Sequence, residues 1–204
     1  MTITNKIFES MDLNKLIEDQ LHNNWEGTPF ENYPRMDPKG KGVFGEAYVE
    51  GLMILRGSTV ESPTNPGHDR IVDVKKTEIK FSLASSNNNH KKDGKLIDPD
   101  SFTFNHIAAE KDWDWFIFLG INPDLDNPNI RPPKDMNEWP AHRMCVMSKV
   151  DFLSYLRSGK NVVFKKQQGG KKATNDDYMV TGKNGFRKLA ALPFVTVVTV
   201  VPPG

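Results

Sequence analysis

The architecture turns on residues 67–82, GHDRIVDVKKTEIKFS. Two β-rich runs, 68–72 and 77–82, flank a turn region at 73–76, which predicts a hairpin. Glu78 and Lys80 are two apart on a strand, so both project from the same face. A loop of two residues (Val74, Lys75) or four (73–76) pairs 71 with 78 and 69 with 80. Asp69, Glu78 and Lys80 then share one face, with directly opposed Cβ atoms about 5 Å apart. A loop of odd length would move the register and disperse them.

Such a cluster has a chemical logic. Two rigidly held oxygen ligands suit Mg2+, which keeps several waters and takes further ligands from a substrate phosphate. The metal acidifies a water and neutralises charge developing on the phosphate. A neighbouring lysine orients that water or stabilises the pentavalent charge. The competing reading is a solvated strand face carrying a cross-strand ion pair, a contact that adds little stability. Asp73 competes with Asp69 as a ligand, although its place beside the turn suits local hydrogen bonding.

Around the hairpin the chain alternates between helix and strand patterns. Residues 5–24 carry a helical stripe of Leu13, Leu16, Ile17 and Leu21, and a loop rich in Pro and Gly follows. Residues 43–56, VFGEAYVEGLMILR, predict a second helix despite Gly45 and Gly51. Residues 85–101 read as an exposed polar loop and 102–107 as a short ordered segment. Residues 113–121, WDWFIFLGI, read as a buried strand whose aromatic residues pack in the core, and a proline-rich loop follows to about 140. A strand at 142–147 leads into a helix at 148–157, with Ser148 as N-cap and Asp151 three residues on. Residues 161–164 and 194–201 read as strands and 165–177 as a polar loop. The pattern is α+β with a mixed sheet.

Composition sets the bounds. The 204 residues suit one domain, with 37% apolar and 26% charged residues. Lys plus Arg is 27 and Asp plus Glu is 26, so the net charge of +1 excludes a basic coat over the whole surface. The single cysteine, Cys145, excludes an internal disulfide framework and a cysteine-built zinc site. No apolar run approaches a membrane span, and the polar N-terminus lacks a signal-peptide core, so a cytoplasmic protein is expected. Charge is nevertheless concentrated. Residues 160–188 hold eight Lys and Arg against Asp176 and Asp177, a local excess of +6. Such asymmetry is an electrostatic footprint for phosphate. Lys165, Lys166, Lys171 and Lys172 are candidate DNA contacts, with Gln167 and Gln168 between them able to reach base edges. Lys91, Lys92 and Lys95 form a second candidate contact just after the hairpin.

Asp69 followed by Glu78-Ile79-Lys80 resembles the signature of the PD-(D/E)xK nucleases, with His68 standing where the family's name has proline. Glu46, within GEAYVEG, resembles the acidic residue that many members carry upstream on a helix; Glu50, one turn later, is the alternative. Residues 101–123, SFTFNHIAAEKDWDWFIFLGINP, resemble type II restriction endonucleases of that superfamily, in which an FxFxxI strand precedes an acidic, aromatic strand ending in LGI and proline. The resemblance spans 45–124, about two-fifths of the chain.

What it implies is a restriction-endonuclease-like domain over 1–204, a central mixed sheet flanked by helices. The implied activity is Mg2+-dependent, sequence-specific cleavage of double-stranded DNA by a homodimer, with a DNA methyltransferase as cellular companion. In this family pattern Asp69 and Glu78 bind metal and the Ile79 carbonyl is a further ligand. Lys80 positions or activates water, Glu46 is an outer or second metal ligand, and Asn105 or His106 sits beside the site. The rival expectations are a structure-specific repair or recombination nuclease and a non-catalytic DNA-binding protein.

Overall fold

The computed structural model describes residues 25, 30–84, 100–122, 142–167 and 177–199. The anticipated helix at 5–24, most of the 85–101 loop, and Lys91, Lys92, Lys95, Gln168, Lys171 and Lys172 lie outside them.

After a short 3-10 turn at Tyr33–Arg35, helix α1 runs from Pro38 to Leu55. It begins five residues before the position expected from apolar periodicity. The cause is a local start signal: the Gly40 N–H donates to the Asp37 carboxylate at 2.6 Å, and Pro38 supplies a preset φ in the first turn. Gly45 is required by packing, because a Cβ there would lie 2.5 Å from the Phe81 Cβ. Strands β1 (Val60–Glu61), β2 (Arg70–Val72) and β3 (Lys75–Leu83) follow, then β4 (Thr103–Ala108), β5 (Trp115–Ile121) and β6 (His142–Ser148). Helix α2 (Lys149–Arg157) starts at Ser148, whose hydroxyl accepts from the Asp151 N–H at 3.1 Å. Strands β7 (Lys165–Lys166) and β8 (Asp177–Thr181), helix α3 (Gly182–Ala190) and strand β9 (Thr196–Thr199) follow.

The anticipated hairpin forms with a different turn. Asp73 and Val74 make a two-residue loop with φ of 48° and 64°, the left-handed geometry that matches strand twist. Arg70 pairs with Thr77 and Val72 with Lys75, so 69 comes opposite 78 rather than 80. The error is two residues. Because side chains alternate with period two, an even slip leaves every face assignment intact.

One six-stranded sheet, ordered β1-β2-β3-β5-β6-β9, organises the molecule. It is mixed: β3 and β5 run parallel and the other pairs are antiparallel. Alternation along β5 sends Phe116 and Phe118 to one face and Ile117, Leu119 and Ile121 to the other. The second set packs with Val49, Leu52 and Met53 of α1. The first packs with Phe102, Phe104 and Ile107, with Phe152 of α2, and with Phe186 and Leu189 of α3. Each such buried side chain contributes about 1.5–3 kcal/mol of transfer free energy. Among the described residues the sheet is thus flanked by three helices, with a second sheet, β4-β8-β7, on the α2 and α3 side.

Two further expectations need correction. Residues 161–164 are not a strand, because the Asn161 side chain accepts from the Val163 and Phe164 N–H groups and donates to the Phe164 carbonyl. The supposed loop from 165 opens instead as β7, paired with β8. Helix α3 occupies a stretch with no predicted element. Among the described residues, no helix is long and apolar enough to cross a membrane.

Candidate active site

The hairpin is where the site forms. β2 pairs with β3 only as far as Thr77, and among the described residues no other strand covers that edge of β3 beyond it. The first strand departs at Asp69, whose carboxylate Oδ2 accepts from the Ile79 N–H at 2.7 Å. An extended residue points its N–H and C=O to the same side. The Ile79 carbonyl therefore faces the same open edge as Asp69.

Glu78 and Lys80 share the sheet face of Phe116 and Phe118, turned toward β4. Lys80 Nζ lies 2.9 Å from Glu78 Oε1. Only 1% of the Glu78 side chain is exposed, and its Oε2 is buried without a hydrogen-bond partner. An unpaired buried carboxylate oxygen costs free energy until a cation or donor reaches it.

These residues line a cavity of about 270 Å³, together with Glu46 of α1, Asn105 of β4 and Lys111 from the turn between β4 and β5. Its carboxylates feel one another. Burial, and then the charge of Glu78, holds Asp69 above the usual carboxylate range. Burial and the Asp69 charge do the same to Glu46, against an opposing pull from Arg70. Glu46 is not free in the cavity: its Oε2 meets Arg70 Nη1 at 3.1 Å, and the same guanidinium binds Glu50 at 2.7 Å and the Asp69 carbonyl at 2.6 Å. Asp73 is elsewhere, exposed at the turn, where it accepts from the Thr59 N–H and hydroxyl. Among the described residues, no group of three or more His, Cys, Asp and Glu side chains is placed to hold a metal ion. Three carboxylates line the cavity, those of Asp69, Glu78 and the Arg70-paired Glu46, and the Ile79 carbonyl faces the same edge.

A bulge in β4, between Phe104 and Ile107, turns Asn105 toward the cavity. His106, at φ 55°, stands outward with 66% of its side chain exposed. Its N–H donates to Gln167 Oε1 at 3.0 Å, and its ring lies 3.5 Å from Asp177. A continuous surface thus runs from Asn105 through His106 and Gln167 to Lys166 and Lys165 on β7.

Two cationic residues had no signal in the sequence reading. Arg70 follows Asp69 directly, yet its partners lie 20 and 24 residues earlier. Lys111 Nζ reaches Glu78 Oε1 at 3.0 Å from 33 residues away, and no short-range spacing marks it.

No protein-family model and no curated protein sequence matches this chain. The residues and their geometry carry the functional argument.

Proposed function

We propose that the chain is a Mg2+-dependent endonuclease that hydrolyses phosphodiester bonds of double-stranded DNA, built on the restriction-endonuclease pattern of a mixed sheet with its site at a splayed hairpin. The observation that carries this reading is the convergence of Asp69, Glu78, the Ile79 edge and Lys80 on one cavity, with a Glu78 oxygen buried and unpaired. Carboxylate and carbonyl oxygens are the ligand type that a hard divalent cation takes.

Asp69, Glu78 and the Ile79 carbonyl would hold that ion. Bound there, Mg2+ neutralises charge at the scissile phosphate and acidifies water. The chain's own groups do the remaining work. The Ile79 N–H fixes the Asp69 carboxylate in one orientation. Lys80, tied to Glu78 in the resting protein, orients the attacking water and stabilises charge on the phosphate. The surface from Asn105 to Lys165 runs beside the cavity and suits the flanking DNA backbone. Cutting both strands calls for a homodimer, and site-specific cleavage calls for a companion methyltransferase to protect the host genome.

Digestion of unmethylated phage DNA, in Mg2+ and in EDTA, tests this beside Lys80→Ala. Discrete fragments that require Mg2+ and vanish in the variant are the expected result. A smear points to a nuclease without sequence choice. Intact but retarded DNA under every condition would sink the catalytic reading.

A further inference from the structure

The cavity holds a second lysine that the hydrolytic set does not use. Lys111 shares Glu78 Oε1 with Lys80, so two ammonium groups crowd one oxygen while Oε2 has none. The two differ in mounting. Lys80 is 19% exposed and lies on the same strand as Glu78, whereas Lys111 is 38% exposed and extends from a turn. That turn is fixed. The Lys111 carbonyl accepts from the Trp113 N–H at 3.2 Å and from the Lys149 ammonium, and the Trp113 indole donates to Ala108. The backbone is held while the side chain has room to leave.

We propose that Lys111 is the resident counter-cation of Glu78 and couples DNA binding to metal binding. The coupling rests on the nuclease reading above. A divalent cation reaching Glu78 Oε2 and the Lys111 ammonium on Oε1 repel one another, so each weakens the other's hold on that carboxylate. A DNA phosphate entering the cavity gives Lys111 a new partner and frees Glu78 for the metal. Metal and DNA then tighten each other by the same factor, as linkage requires. The protein without DNA is thereby kept a poor metal binder.

The test measures Mn2+ binding by electron paramagnetic resonance, with and without a short mixed-sequence phosphorothioate duplex. Wild type should gain about tenfold in Mn2+ affinity from the duplex. Lys111→Met should bind Mn2+ about tenfold more tightly than wild type without DNA, and gain less than about threefold from the duplex. Lys111→Arg keeps the charge and should retain the coupling, and it guards against a folding artefact in the first variant. Lys41→Met removes a lysine that lines the same cavity without an ion pair to Glu78, and should behave as wild type. Unchanged DNA-free affinity in Lys111→Met, or an equal gain in Lys41→Met, overturns the proposal. Wild type that binds Mn2+ but no duplex overturns the nuclease reading and the coupling with it. Wild type that cuts DNA while Lys111→Met keeps normal metal coupling overturns the coupling alone.

Discussion

Glu78 and His142 are both buried and polar. Glu78 keeps an unpaired oxygen, a local cost that a cation removes. The His142 Nε2 is hydrogen-bonded to the Tyr48 hydroxyl at 2.7 Å and its ring stacks on that of Tyr48. Burial pushes its pKa down to about 4. The unfolded chain takes up a proton on this group below about pH 6.5, while the folded protein resists until about pH 4. The contribution to stability is therefore whole above pH 6.5 and is lost as the pH falls toward 4. His142→Gln keeps an acceptor for Tyr48 and removes the titration. The loss of unfolding free energy between pH 7 and pH 4 should shrink by roughly 2–3 kcal/mol in that variant. Denaturant titrations at the two pH values measure it, and equal losses in both proteins would refute the assignment.

At the scale of the element, the hairpin turn is the strained part. Val74 is β-branched, exposed, and held at φ 64°. A left-handed conformation costs such a residue about 1–2 kcal/mol. Glycine avoids that cost and loses about 0.5–1 kcal/mol in unfolded-chain entropy. The first effect is the larger, so Val74→Gly should stabilise the protein by about 0.5–1 kcal/mol. Chemical denaturation reads this directly, and a destabilised variant would show that the Val74 side chain makes a compensating contact. The register should survive the change, because Asp73 remains anchored to Thr59.

At the scale of the whole molecule, the site joins the two faces of the sheet. Glu46 comes from α1 on one face, Asn105 from the second sheet on the other, and Asp69 and Glu78 from the hairpin between them. A cation that binds only this assembled arrangement must raise global stability. At a hundredfold excess over Kd the gain is about 2.7 kcal/mol. The melting temperature should thus climb with Mg2+ concentration, and Glu78→Gln should abolish the climb while remaining folded. A melting curve indifferent to Mg2+ in wild type, both alone and with the phosphorothioate duplex bound, would count against the metal site.

Much of this was legible along the chain, and for a local reason. The hairpin, the buried strand at β5, and the Ser148 cap with Asp151 are written within a few neighbouring residues as alternation, apolar content and hydrogen-bonding side chains. Glu78 and Lys80 share a face by parity despite the two-residue error in register, whereas Asp69 meets them from the edge of β3 through the Ile79 N–H. The rest depended on distance along the chain. Helix α3 contains Gly182, Asn184 and Gly185, weak helix formers that gave no helical signal; burial of Phe186 and Leu189 in the cluster with Phe102 and Phe104 favours it. The ion pairs of Arg70 with Glu46 and of Lys111 with Glu78 join residues 24 and 33 positions apart. No local pattern encodes such meetings. They exist because sheet order and the fixed turn before Trp113 bring those segments together, and burial then forces their charges to pair.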